Sequence, residues 1–185
     1  MANKVEFGIS QLHVGTYTDA DGTVTLGTPY HQKGAVSFSP EEQSEQNNFY
    51  ADNIIYWSGY SGGSIEGDLE VAMFDDEFKT QFLGYRALTN GGLANVKNAS
   101  KPNVYIAFQV EGDAEARRVI LYNCTLGAIT REYNTIEENK EPATETLGVT
   151  CVGDNTTGVT MAVLKPGDTG YADLFTAPTA PVIAP

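Results

Sequence analysis

The chain has 185 residues, with 11 lysines and arginines against 24 aspartates and glutamates, for a formal net charge of -13. That length holds one domain with a real core and leaves little room for two. So large an excess of carboxylates excludes tight DNA or RNA binding, which needs clustered cations to displace condensed counterions.

Glycine, threonine, valine and tyrosine are abundant and runs of helix-favouring residues are scarce, so a β-rich fold is expected. No apolar stretch is long enough for a membrane-spanning helix. The first ten residues lack the apolar run of a secretory signal, which predicts cytoplasmic synthesis and reduced thiols at Cys124 and Cys151. Neither cysteine has metal-like spacing. Both fall in strand-like segments, so pairing of those strands would permit a disulfide, with buried free thiols as the expected state.

In chain order, residues 5–18 open with Val5, Phe7 and Ile9 alternating with polar partners, and Asp21-Gly22 offers a tight turn into residues 23–26. This is a first hairpin. Residues 35–39 form a short strand, and residues 40–48, rich in acids and amides without apolar periodicity, predict a long loop. That loop continues through the aromatic and glycine-rich stretch FYADNIIYWSGYSGGS at 49–64.

Over 64–74 the alternation is clean. Ile65, Gly67, Leu69, Val71 and Met73 share one face, and Glu66, Asp68 and Glu70 share the other, so one face packs and the other is acidic. Asp75 and Asp76 then stand where a helix start favours negative charge. Phe78, Phe82 and Leu83 make an apolar stripe that Gly84 ends, which predicts one helix.

Residues 104–111 and 119–126 form a hairpin across Gly112-Asp113. Residues 129–135 and 143–152 pair around a polar turn at 137–142, with Leu147, Val149 and Cys151 on one face, and 158–164 adds an edge strand. From about 168 to 185 the chain is rich in Ala, Pro and Thr and predicts an extended arm outside the core. The whole pattern is mainly β: a sandwich or barrel with one packed helix, in a single domain over 1–185.

Catalysis finds no foothold. Gly59-Tyr60-Ser61-Gly62-Gly63 spells a nucleophile elbow, but a strand follows where a helix is needed, and His13 and His31 come before the serine rather than after it. A hydrolase using Ser61 is therefore rejected. Asp168-Thr169-Gly170 spells the aspartic protease triplet, yet it follows Lys-Pro-Gly as an exposed turn would. Asp19-Ala20-Asp21-Gly22 lacks the further oxygen ligands of a calcium loop, since Tyr30 stands where the bidentate Glu belongs. No catalytic, cofactor or metal residue is assigned, and the two histidines are expected to be ordinary strand or loop residues without partners. The Asn98, Asn123 and Asn155 glycosylation triplets carry nothing without a secretory signal.

What remains is contact. Phe49, Tyr50, Asp52, Asn53, Ile54, Ile55, Tyr56, Trp57 and Tyr60 crowd a segment whose glycine content argues against core, so these rings are expected at an interface. Two readings follow: a self-assembling structural protein, or a phage or secreted β-sandwich adhesion module that binds carbohydrate.

Five segments in order, KVEFGISQLHVGTYT, FYADNIIYW, GDLEVAMFDDEFKTQFLG, ARRVILYNCTLGAITREYNT and EPATETLGV, favour the first. Together they resemble the major tail tube protein of long noncontractile tailed bacteriophages, in the group typical of phages of Gram-positive hosts. The resemblance implies a virion structural protein and no enzyme: a β-sandwich whose inner sheets join between subunits in hexameric rings, stacked into a hollow tube through which DNA passes without binding. It implies an inter-ring loop at 40–63 and contact arms at 1–4 and 169–185. Partners would be the chain itself, a tape measure protein within, and tail terminator and distal tail proteins at the ends. The virion tail would be built in the bacterial host cytoplasm, away from membrane. Glu66, Asp68 and Glu70 are the candidate lumenal acidic face.

Overall fold

The computed structural model describes residues 8–133, 135 and 142–183; Val5, Phe7, the arm at 1–4, most of the turn at 137–142 and the last two residues of the C-terminal arm lie outside them. The elements in chain order are β1 (Gly8–Ala20), β2 (Thr23–Leu26), β3 (Tyr30–His31), β4 (Ala35–Ala51), β5 (Ile54–Val71), α1 (Asp76–Phe82), β6 (Arg86–Ala87), β7 (Leu93–Ala94), β8 (Val104–Glu111), β9 (Arg118–Arg131), β10 (Glu145–Cys151) and β11 (Met161–Leu164). Nine strands form one antiparallel sheet in the order β2-β1-β8-β9-β10-β5-β4, with β11 on β9 and β3 on β1; β6 and β7 pair apart.

The mainly β class with one packed helix is as the alternation predicts. The sandwich is a single sheet rolled on itself. Phe38 of β4 meets Phe108 of β8 edge to face at 5.7 Å although three strands separate β4 from β8 in the sheet. Inside the roll lies one large cluster, including Leu12, Val14, Ile65, Leu69, Val71, Val104, Ile106, Phe108, Leu121, Leu126, Leu147 and Val149. A second, smaller cluster of Tyr17, Tyr105, Ala107, Ile120, Tyr122 and Leu174 covers the outer face of β1, β8 and β9.

Where a strand changes which parity of residue faces inward, its period-two count is reset, and β-bulges do this. On β9, Ile120 and Tyr122 face outward while Cys124 and Leu126 face inward, so one extra residue must intervene. It is Asn123, at φ 52, and the register with β8 shifts there. Asparagine tolerates this left-handed backbone. Its buried amide donates to Gly153 O and Asn155 Oδ1 and accepts from Asn103. Gln11, at φ 53, does the same for β1.

The helix falls where predicted. Asp75 is its N-cap residue, Asp76 and Glu77 occupy the first turn, and Gly84 leaves it at φ +72. Phe74, Phe78 and Phe82 form a ladder with ring centroids 4.9 and 5.1 Å apart inside the main cluster. Phe74 sits there rather than Met73, which is 56% exposed; β5 stops at Val71, so strand alternation no longer governs the next residues. One buried carboxylate, Glu145 at the start of β10, ties helix to sheet. It accepts from the Phe74 amide at 2.7 Å and pairs with Arg131 at 3.1 Å and Lys79 at 3.5 Å.

Three expectations are corrected. Residues 40–48 are not a loop but the middle of β4, a strand that ends the sheet with both faces exposed, which is why no apolar period marks it. Cys124 and Cys151 are not free thiols but a disulfide, because β9 and β10 place them opposite each other in register. The C-terminal arm is not wholly extended: residues 168–177 are turns with Leu174 buried, and only the stretch from 178 to 183 lacks regular structure.

Glu145→Gln removes the buried carboxylate's charge from two partly exposed cations, Lys79 and Arg131, so it is expected to lower unfolding stability by about 1 to 3 kcal/mol. Denaturant unfolding checks this against Glu42→Gln on the exposed face of β4, which is expected to be silent. The disulfide spans a separation of 27 residues. Closing a loop of that size constrains the unfolded chain by roughly 3.5 kcal/mol, so reductant is expected to lower the unfolding midpoint, and equal midpoints with and without it would refute the pairing.

Candidate functional site

Strands β4 and β5 run on together well past the rest of the sheet. β10 accompanies β5 only as far as Ile65, and residues 54–64 pair with β4 alone. At strand rise this free ribbon reaches roughly 35 Å beyond the roll. Asp52 at φ 50 and Asn53 at φ 64 close it as a two-residue turn with both residues left-handed, the geometry whose twist suits a hairpin. The predicted contact loop is therefore a β-ribbon. Its signal was Asp-Asn set symmetrically between β-branched and aromatic residues.

The ribbon carries its large side chains in the open. Phe49 opposes Trp57, Tyr50 opposes Ile55 and Ala51 opposes Ile54 in register. Phe49 and Tyr56 meet edge to face at 6.5 Å, but Tyr56 remains 73% exposed and Tyr60 75%. Ile54, Ile55 and Trp57 are also more than half exposed. All the predicted contact residues thus lie together at the ribbon's outer end, with Asp52 and Asn53 as its turn. Polar side chains stiffen its stem: Gln46 donates to Ser58 at 3.1 Å and Asn47 to Ser61 at 2.7 Å. Ser61 lies within a strand and bonds an amide, which removes the elbow reading.

Below the ribbon, β5 contributes to the roll. Ile65, Leu69 and Val71 point inward while Glu66 and Asp68 are exposed and Glu70 is half-buried on the outer face. Register extends this face across neighbours: Glu41, Ser39 and Ser37 on β4, Thr150, Gly148 and Thr146 on β10. A shallow groove of about 560 Å³ runs over it, walled by Glu41, Glu66, Asp68, Thr125 and Thr150. Thr144 and Ser37 donate to Glu70 at 2.6 and 3.0 Å, and these two bonds hold its carboxyl below the usual range. No cluster of metal-ligating side chains forms among the described residues. Gly67 lets β4 approach closely, since a Cβ there would meet Ser39 O at 2.4 Å.

The remaining motifs resolve as turns or as packing. Asp21-Gly22 turns β1 into β2, with Gly22 N donating to Asp19. Asp168 accepts from Lys165 N in a tight turn. His13 and His31, expected to lack partners, pair in register and stack at 4.6 Å; the two-residue strand β3 that joins them left no periodicity to read.

The fold is similar to that of the tube-terminating cap of the anti-feeding prophage, which is 10% identical, superposes with a TM-score of 0.50, and matches over 88% of this chain and 95% of that one. The sheath–tube complex of the PVC extracellular contractile injection system (9% identity, TM-score 0.48, 84% and 88% coverage) and the tail of an empty GTA particle (16%, 0.40, 85% and 96%) are less similar in shape. The sequence itself matches the family described as phage tail tube protein over residues 2–157, and the chain belongs to that family, a structural component of the virion tail. No curated protein matches it.

Proposed function

We propose that the chain polymerises as hexameric rings that stack into the hollow tube of a long noncontractile tail, in the group typical of phages of Gram-positive hosts, and that phage DNA passes through the lumen into the host. The observation that carries this reading is the ribbon at the end of β4 and β5. A free monomer would expose its aromatic tip to water, and surface of that composition belongs against protein. The ribbon also leaves the outer edges of both strands unpaired, and an unpaired edge is a template for a further strand. Stacking covers the tip, and closure of sheets around a ring removes the edges. Residues 40–63 are thus the inter-ring element, with the arms at 1–4 and 169–185 adding contacts.

The acidic face of β5 and β4 lines the lumen in this reading. A conduit must let DNA slide, and carboxylates at the wall repel phosphates while offering no cation for them to hold. The two functions then occupy one strand, with Ile54, Tyr56 and Trp57 for stacking and Glu66, Asp68 and Glu70 for passage. A tape measure protein occupies the lumen before ejection, terminator and distal tail proteins cap the ends, and assembly takes place in the host cytoplasm.

Negative-stain electron microscopy of purified protein is expected to show rings or tubes with a central channel. The triple variant Tyr56→Ser, Trp57→Ser, Tyr60→Ser is expected to fold with unchanged circular dichroism yet form no tubes, and long tubes from it would sink the stacking role. Glu66→Gln, Asp68→Asn and Glu70→Gln together are expected to leave tubes normal but slow DNA ejection several-fold in virions that carry them. Ejection at the normal rate would place this face elsewhere.

A further inference from the structure

The segment after β11 lies beyond the stretch that matches the tail tube family, and it is pinned to the outer face of the roll at three points. Leu174 is buried in the second cluster. Arg118 of β9 lies under two of the segment's rings, 4.2 Å from the centroid of Tyr171 and 4.4 Å from that of Phe175, and donates to the Tyr171 carbonyl; the Tyr171 hydroxyl donates to Ala116 O. Finally, Phe175 stacks on His13 at 4.6 Å and 14°. His31 stacks on the same imidazole at 4.6 Å and 11°, so the ring of His13 is held between two others. The segment is entered through the Lys165–Asp168 turn, in which Gly167 stands at φ +100, and Gly170 follows at φ +86.

We propose that residues 168–177 are a strap that mild acid releases from the roll, with His13 as the group that senses the proton. His13 is only 7% exposed, and its Nδ1 already bonds Gln11 O, so an added proton would go on Nε2. The resulting cation would sit in a ring stack with little water, with His31 on one side and the permanent charge of Arg118 close by. Phe175 is the removable wall of that stack. Lifting it hydrates the imidazole and separates Arg118 from the two rings that now hold it.

The sign follows. Burial is the main influence lowering the His13 pKa from 6.5; the Gln11 carbonyl opposes it, and the charges of His31 and Arg118 add to it. With the strap lifted, His13 binds protons more readily. Strap docking is therefore complete above pH 6.5 and weakens as pH falls below it, by up to about tenfold per pH unit for one proton. The carboxylates flanking the strap do not share this window. A hydrogen bond from Arg117 holds Asp113, and one from Lys165 holds Glu115, below their usual ranges, so both stay ionised.

Hydrogen exchange read by mass spectrometry, corrected for intrinsic rates, tests this at about pH 7.5 and about pH 5.5 on the full chain. Peptides covering 168–177 are expected to lose protection several-fold at the lower pH while β8 and β9 keep theirs. His13→Phe preserves the stack but cannot take a proton, so its strap is expected to be equally protected at both. Equal protection in the parent protein, loss of protection throughout the sheet, or an undiminished acid response in His13→Phe would each overturn the proposal. Phe175→Ala gives a second readout that does not alter the histidine. By NMR titration its His13 is expected to titrate at higher pH than in the parent, and identical titration of the two proteins rules the strap out as the cause.

Discussion

The rest of the fold depends on strand β9 being buried on both faces over residues 119–124. It bonds β8 along one edge and β10 and β11 along the other. Inward it supplies Val119, Leu121, Cys124 and Leu126 to the roll, and outward it supplies Ile120 and Tyr122 to the second cluster. These inward residues are odd-numbered before Asn123 and even-numbered after it, and Asn123, at φ 52, is the point where the count is reset. The fixtures of the molecule attach along this strand: Arg118 holds the C-terminal segment, Cys124 is bonded to β10, and Arg131 pairs with the Glu145 carboxylate that anchors the helix. Each fixture is specific to its place in the register, so a slip of one residue would undo all three at once.

What could be read from sequence was what alternation or turn chemistry marks. β5 over 64–71, the helix with its Phe78 and Phe82 stripe, the Asp21-Gly22 hairpin and the pairing of β8 with β9 were all legible, because burial on one side imposes a period. β4 was not. With residues 40–48 exposed on both faces, nothing in its composition distinguishes strand from loop, and only its pairing to β5 makes it a strand. The disulfide was illegible for a different reason. Compartment arguments concern whether thiols are oxidised on average, whereas register decides whether two of them touch. The docking of Tyr171 and Phe175 was hidden by the prolines that follow.

The residues proposed for contact were legible as a composition and not as a shape. Aromatic rings set among glycine and serine led to the expectation of an interface, and in the structure they ride on a ribbon whose backbone is internally paired. The difference is mechanical. A flexible loop would lose conformational entropy for every residue it ordered on contact, whereas a paired ribbon has already been ordered by folding. Rigid presentation also fixes the angle at which the tip leaves the roll, since β5 enters the core within a residue of the point where it stops pairing with β4 alone.

That continuity makes β5 the mechanical link between assembly and passage in the proposed tube. From Ile54 to Val71 it carries exposed apolar residues, then acids alternating with core residues, and it ends against the Phe74 ladder. Its register with β4 shifts at Gly63, φ +144, where the ribbon leaves the roll, and below that point Gly67 is confined by the backbone of β4. From Ile65 onward the strand is paired on both edges, so a load that reaches it passes into the packed interior, where the helix and the Glu145 pairs lie. In a tube whose rings must keep a common axis over many repeats, a stiff strand that both makes the contact and belongs to the core transmits orientation from one ring to the next. Two interfaces joined by a flexible segment would let that orientation drift.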